Sequence, residues 1–209
     1  MKKQKAKLIT VITLAVVMMG LSSCVTKADV VLVPGENMLV NGDFEAGQDP
    51  WTPWIDDGWG GAGEVIWEDG IATLDIEEQG DECWAVAMHY KKLLIEKGEK
   101  YVFTFRAKAD EPRIIRTNIG SGLAPSDPPY LYYQDVELGT EWQTYEFDFK
   151  MLFRTDKFGR IDFNCANNLG AYLPEGTPWT ADRLFATSGA TVYIDDVELR
   201  KFVPEVIGE

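Results

Sequence analysis

From Asn37 onward, apolar residues recur at every second position. Tyr101, Phe103, Phe105, Ala107 and Ala109 alternate with Val102, Thr104, Arg106 and Lys108. Ala72, Leu74 and Ile76 alternate with Thr73, Asp75 and Glu77, and Tyr145, Phe147 and Phe149 with Thr144, Glu146 and Asp148. Ile161, Phe163 and Cys165 alternate with Arg160, Asp162 and Asn164. A period of two marks half-buried antiparallel strands. Only Lys91–Lys100 suggests a helix, and Gly98 followed at once by a strand makes it a strand and a turn. Segments rich in Gly and Pro (Gly58–Gly63, Ala124–Pro129, Leu173–Pro178) supply loops. Many short strands without a helical period predict an all-β fold, a sandwich or a barrel. With no internal repeat and no interdomain linker, one sandwich over residues 37–203 with a tail at 204–209 fits.

The first residues follow a different pattern. Residues 1–24 read MKKQKAKLITVITLAVVMMGLSSC: a basic start, an apolar run from Leu8 to Leu21, small residues and a cysteine. The run is shorter than the ~20 residues that span a bilayer as a helix, and its flanks are those of a secretory signal. Leu21-Ser22-Ser23-Cys24 resembles the bacterial lipobox, in which cleavage precedes a cysteine that carries lipid. Residues 1–23 are therefore expected to be a signal peptide. Cys24 is expected to be the lipidation site, and residues 24–36 a short tether with no element. The expected place is outside the cytoplasm, anchored by lipid in a bacterial cell envelope.

Charge narrows the partners. The chain has 20 Lys and Arg against 34 Asp and Glu, a formal charge of −14. Loss of the four leader lysines (Lys2, Lys3, Lys5, Lys7) takes −14 to −18. Such a chain does not attract a phosphate backbone, so nucleic acid is not an expected partner. Seven Trp and eight Tyr are many for one domain, and they suggest a flat-ring binding surface besides a core. The single His and scattered Cys exclude a His/Cys zinc cluster. The strand pattern points Cys83 and Cys165 to opposite faces, which disfavours a disulfide between them.

The alternation also assigns faces. With Ile161 and Phe163 inward, Arg160, Asp162 and Asn164 point outward. Val86 and Met88 inward leave Ala87, His89 and Lys91 outward, and Ile115, Thr117 and Ile119 inward leave Arg116 and Asn118 outward. This outward set is polar and suited to hydroxyl groups. His89 reads as a surface residue rather than a general base.

Four sequence words stand at set places along this strand map. They are Asn41-Gly42-Asp43-Phe44-Glu45 followed by Trp51, then Trp84-Ala85-Val86, then Glu96–Ala109, and near the end Val192-Tyr193-Ile194-Asp195-Asp196-Val197-Glu198-Leu199. In this order and spacing the chain resembles carbohydrate-binding modules of the family 4, 9 and 22 group, over roughly Asn37–Lys201. The resemblance implies a two-sheet jelly roll, a structural calcium, and a concave face that grips one glycan chain without cleaving it. It places calcium at Asp43, Glu45, the Gly70 carbonyl and Asp195. Asp195 also interrupts an apolar face, where a buried carboxylate needs a compensating cation. It matches Trp54, Trp84 and Tyr130 to aromatic positions flanking the cleft, and it puts His89, Arg116, Asn118, Arg160, Asp162 and Asn164 on the strands that line it. Sugar rings have apolar faces and polar edges, so aromatic platforms with amide and guanidinium groups suit them. Many relatives carry Gln at the position of Ala87, so one hydrogen-bonding group is missing here.

The enzyme alternative lacks a motif. There is no Glu-x-Asp-x-x-Glu strand of the laminarinase type, and Glu146-Phe147-Asp148 is followed at the decisive position by Met151. Gly-x-Ser-x-Gly, a phosphate loop and His-Glu-x-x-His are also missing. The expected function is non-catalytic binding of a β-glucan or xylan chain. The competing reading is a surface adhesion or structural lipoprotein whose jelly roll has lost glycan affinity.

Overall fold

Each alternating segment becomes a strand, and the strands pair into two antiparallel sheets. The computed structural model describes residues 29–166 and 190–207; the expected signal peptide, Cys24 and the loop at Leu173–Pro178 lie outside them. In chain order the strands are β1 (Asp29–Asn37), β2 (Thr52–Ile55), β3 (Gly61–Glu68), β4 (Ile71–Gln79), β5 (Val86–Ile95), β6 (Lys100–Ala109), β7 (Arg113–Ser121), β8 (Leu131–Leu138), β9 (Gln143–Lys150), β10 (Asp156–Asn164) and β11 (Thr191–Ile207). One sheet runs β3-β4-β11-β6-β9, with β1 paired to the distal part of β11, and the other runs β2-β5-β10-β7-β8. This is the expected all-β, two-sheet antiparallel sandwich.

The alternation explains the core. Ala72, Leu74 and Ile76 of β4, and Tyr101, Phe103 and Phe105 of β6, are buried on the inner face of the first sheet. They meet Val86 and Met88 of β5 and Ile161 and Phe163 of β10. Phe163 stands edge-on to Phe105 at 4.9 Å between ring centroids. Burial of each large side chain is worth about 1.5–3 kcal/mol, so the aromatic contacts bind the two sheets together. The turn expected at Gly98 is present, with Gly98 in the left-handed region at φ +88.

The Asn41–Glu45 word has a structural reason. Asn41 gathers its loop by donating to the carbonyls of Gly47 and Asp49 and accepting from Ala46 N–H. Gly42 lies directly against the Val197 carbonyl, where no Cβ fits. Phe44 and Trp51 fill the core at this end, and the Trp51 indole donates to Asn41 O at 2.9 Å. Asp43 and Glu45 are thereby left exposed on a loop pinned to β11.

Two boundaries differ from expectation. Residues 29–37 are not a featureless tether: β1 pairs with β11 from Asp29↔Ile207 to Asn37↔Arg200. Nor do residues 204–207 belong to a loose tail, since they complete that ribbon. Val30-Val31-Leu32-Val33 is a continuous apolar run with no alternation, closed by Pro34-Gly35, so the period of two could not reveal it.

Two bulges also went unforeseen, and the second bears on the site. Tyr90 pairs with Ile161 but Leu93 with Gly159, which leaves an extra residue on β5 around Lys92, whose φ is +68. On β8, Gln134 faces Thr117 while Leu131 faces Ile119, again one residue too many. A bulge breaks the alternation and re-aims its side chains.

Candidate functional site

The outer face of β2-β5-β10-β7-β8 carries a cleft of about 730 Å³, within the size range of ligand sites. Of the residues expected there, Trp54, Trp84, His89, Asn118, Arg160, Asp162 and Asn164 line it. Pairing sets them side by side: Asp162 lies opposite His89 on one flank and Asn118 on the other, and Trp54 is opposite Ala87. A wall is formed by the Pro125–Pro129 loop between β7 and β8.

Asp162 is the hub of the floor. It is 3% exposed, a position too dry for an uncompensated carboxylate. His89 Nδ1 lies 2.7 Å from its Oδ1, and Arg160 Nε 2.6 Å from the same oxygen. A second Arg160 nitrogen donates to Oδ2 at 2.9 Å, and the Asn118 amide donates to Oδ2 at 3.0 Å. The Asn164 amide then donates to Asn118 Oδ1 at 3.3 Å. Burial alone would raise the Asp162 pKa; the His89 and Arg160 bonds and charges outweigh it and hold the carboxyl below its ordinary range. Two hydrogen bonds to Oδ2 and two ion-pair contacts to Oδ1 thus converge on one carboxylate. Asp162, expected as a sugar contact, lines the cleft and also positions His89, Arg160 and Asn118. His89 is not a surface residue: it is buried in this network.

Aromatic groups flank the floor. Trp54 is 45% exposed, with its ring 6.1 Å from that of His89. Trp84 sits edge-on to the exposed Trp59 at 6.4 Å. Tyr132 and Tyr133 both line the cleft, edge-on to each other at 5.2 Å. Neither was foreseen, because in a regular strand neighbours point to opposite faces; the β8 bulge turns both toward the cleft. Lys91, read as outward from the alternation, also lines the cleft.

Two expected contacts lie elsewhere. Arg116 is fully buried: its Nε donates to Asp135 Oδ1 at 2.8 Å, and its guanidinium packs 5.4 Å from the centre of the Tyr133 ring. It is a shelf beneath an aromatic platform rather than a ligand contact. Tyr130 is not among the lining residues either. It packs against the core, and its hydroxyl donates to Asp156 at 2.6 Å; burial and that bond push the phenol up to about 12. Cys83 and Cys165 are both free. Cys83 lines the cleft and Cys165 joins the core, on opposite sides as expected. Burial raises the Cys83 thiol to about 12, which disfavours the thiolate.

The candidate calcium residues converge on the pinned loop. Gly70 occupies the β3–β4 turn at φ +71, and a Cβ there would lie 2.8 Å from Glu45 Oε1 and 3.3 Å from the Asp43 carbonyl oxygen. The Asp195 carboxyl is raised chiefly by burial, with Asp196 and Asp43 adding to it. Arg106 offsets this only from 3.6 Å. Among the described residues no three His, Cys, Asp or Glu side chains form a metal-holding group, so an ion here would draw on backbone carbonyls as well. That mixture suits calcium.

The carbohydrate binding domain family 4/9 matches residues 36–169. The chain belongs to this family. Among solved structures, one described as a CBM4 module is 24% identical, with a TM-score of 0.59, 78% of this chain and 98% of that one being covered. The second N-terminal cellulose-binding domain of Cellulomonas fimi β-1,4-glucanase C is 20% identical, with a TM-score of 0.54 over 76% of this chain and 89% of that one. The N-terminal cellulose-binding domain of the same enzyme is 19% identical, with a TM-score of 0.53 over 79% and 94%. At these identities the likeness is one of fold. No curated protein matches the chain. The chain thus carries a carbohydrate-binding module whose cleft lies on the outer face of one sheet.

Proposed function

We propose that the module binds a single β-linked glycan chain, of the glucan or xylan type, without cleaving it, and that it does so at a bacterial cell envelope on a lipid anchor at Cys24. The observation that carries the glycan reading is one arrangement. Trp54, Trp84, Tyr132 and Tyr133 flank a floor of Asn118, Asn164, Arg160 and His89 whose orientations are held by Asp162. Aromatic faces receive the apolar side of a sugar ring and the oriented amides and guanidinium meet its hydroxyls. Two similar structures are described as cellulose-binding domains, which supports a β-glucan as the first ligand to try. Hydrolysis would need two carboxyl groups placed across the scissile bond. Among the described residues the acids lining the cleft are Asp162, tied to His89, Arg160 and Asn118 and held ionised, and Asp127 on the exposed wall loop. Calcium at Asp43, Glu45, Gly70 and Asp195 would brace the loop against β11. Calorimetry against xylo- and gluco-oligosaccharides of increasing length tests the reading. Affinity rising with length and no new reducing ends are expected; no heat with any β-glycan would favour the adhesion reading.

A further inference from the structure

The β1/β11 ribbon carries an apolar face with no described cover. Residues directly opposite in an antiparallel pair share a face, and the register gives Val30↔Val206, Leu32↔Pro204 and Pro34↔Phe202. Val30, Leu32 and Val206 are 61%, 53% and 65% exposed. The acidic Glu205 pairs with Val31 on the other face. β6 begins at Lys100 and its pairing with β11 ends at Lys201↔Tyr101, so residues 202–207 reach past the edge of the sandwich with only β1 beside them. At the base of the ribbon, Leu32 and Phe202 join Phe149, Lys100, Lys150 and Asp148 around a groove of about 470 Å³. Lys100 and Lys150 are directly opposite each other and both exposed. Like charges in that position repel, and among the described residues neither has an ion-pair partner. A strongly acidic chain thus places two unpaired cations beside its exposed apolar ribbon.

The chain ends decide what covers this face. Cys24 is five positions before Asp29, a reach of about 17 Å at most when extended. We infer that the outer face of the β1/β11 ribbon rests on an anionic lipid surface, with Val30, Leu32 and Val206 in the interface and Lys100 and Lys150 against headgroups. The inference rests on the lipid-anchor part of the proposed function. The ribbon belongs to the first sheet and the cleft to the outer face of the second. Docking this way keeps the cleft turned from the bilayer and open to a polysaccharide. The acyl chains of the anchor tether the chain, and a basic apolar patch would add a contact that sets its orientation on the surface.

The test uses the mature chain, residues 24–209, as Cys24→Ser. It contains every described strand and has no acyl chain, so the ribbon's contribution is read apart from acylation. Sedimentation with vesicles of phosphatidylcholine containing 30% phosphatidylglycerol should show binding that falls at 0.5 M salt and is at least tenfold weaker to pure phosphatidylcholine. K100Q with K150Q should weaken it about tenfold or more, and L32D with V206D should abolish it. A cleft variant, W54A, should still sediment, and L32D with V206D should keep glycan binding, which shows that it is folded. No binding to anionic vesicles overturns the inference even if Cys24 of the native protein is acylated. So does a concentration-dependent dimer in ultracentrifugation that L32D abolishes, because the covering surface would then be a second copy.

Discussion

Asp162→Asn is the sharpest perturbation of the cleft. The carboxylate accepts from Asn118 and from one Arg160 nitrogen, and it lies 2.6 Å from Arg160 Nε and 2.7 Å from His89 Nδ1. An asparagine keeps the shape but offers one acceptor oxygen and turns an NH₂ group toward donors. It also leaves the Arg160 guanidinium without its counter-charge. Removing one partner of a buried ion pair costs about 3–5 kcal/mol, and the lower end applies because Arg160 reaches the cleft and its water. For a domain of this size ~3 kcal/mol is roughly a 10 °C fall in Tm. The folded-state pKa of Asp162 is depressed. Its contribution is therefore present above the unfolded value of about 4 and is lost as pH falls through the lower folded value. The wild-type and D162N melting temperatures should differ most near pH 7 and converge as pH falls below the unfolded value of about 4. Calorimetry should show glycan affinity at least tenfold weaker, because the cleft donors lose the group that orients them. A D162N protein with unchanged Tm at pH 7 and full affinity would refute the hub.

Four further outcomes are expected. Trp54→Ala should abolish glycan binding in calorimetry with a change in stability within about 0.5 kcal/mol, because its ring is exposed. Arg116→Met should weaken glycan binding by removing the shelf under Tyr133 and lower Tm by removing the buried Arg116–Asp135 ion pair. Unchanged affinity would mean that Tyr133 is held by other contacts. Chelation should lower Tm, since an ion at a hundredfold excess over Kd stabilises by about 2.7 kcal/mol, and Asp195→Ala should remove the response. Cys24→Ser should leave the salt-washed membrane fraction; if it stays there uncleaved, the lipobox reading fails.

Most of the sandwich was legible because its strands obey one rule. β4, β6 and β10 bury the residues that alternation assigns inward, β9 buries Phe149 and packs Tyr145 and Phe147 against the core, and the outward set of β10 lines the cleft as expected. What escaped lay where the rule fails locally. The β8 bulge put Tyr132 and Tyr133 on one face, and a residue count along the strand cannot show an inserted residue. Arg116 and Asp162 point outward as read, yet outward here does not mean available. β7 is central in its sheet and buried on both faces, so polar side chains on its outer side must find protein partners before they can meet a ligand. Pairing Arg116 with Asp135 of β8, or Asp162 with Asn118 of β7, required the strand order, which no local pattern carries.

The same accounting explains what kind of binding this cleft supports. Each neutral hydrogen bond exchanged with water nets only about 1 kcal/mol, and ordering flexible side chains costs about 0.5–1.5 kcal/mol apiece. A cleft of free Arg, Asn and His side chains would lose most of its gain to that ordering. Here the ordering is completed on folding: Asp162 fixes Arg160, His89 and Asn118, Asn118 fixes Asn164, and Arg116 supports Tyr133. The glycan then meets groups already in place. The modest gain per ring becomes additive along the chain, so affinity grows with the number of rings covered rather than from one dominant contact. At Ala87, opposite Trp54 on the neighbouring strand, no such group was added, and Ala87→Gln is the substitution that asks whether an untethered hydrogen-bonding side chain there raises affinity. Without a held orientation it should add little, about 1 kcal/mol at most.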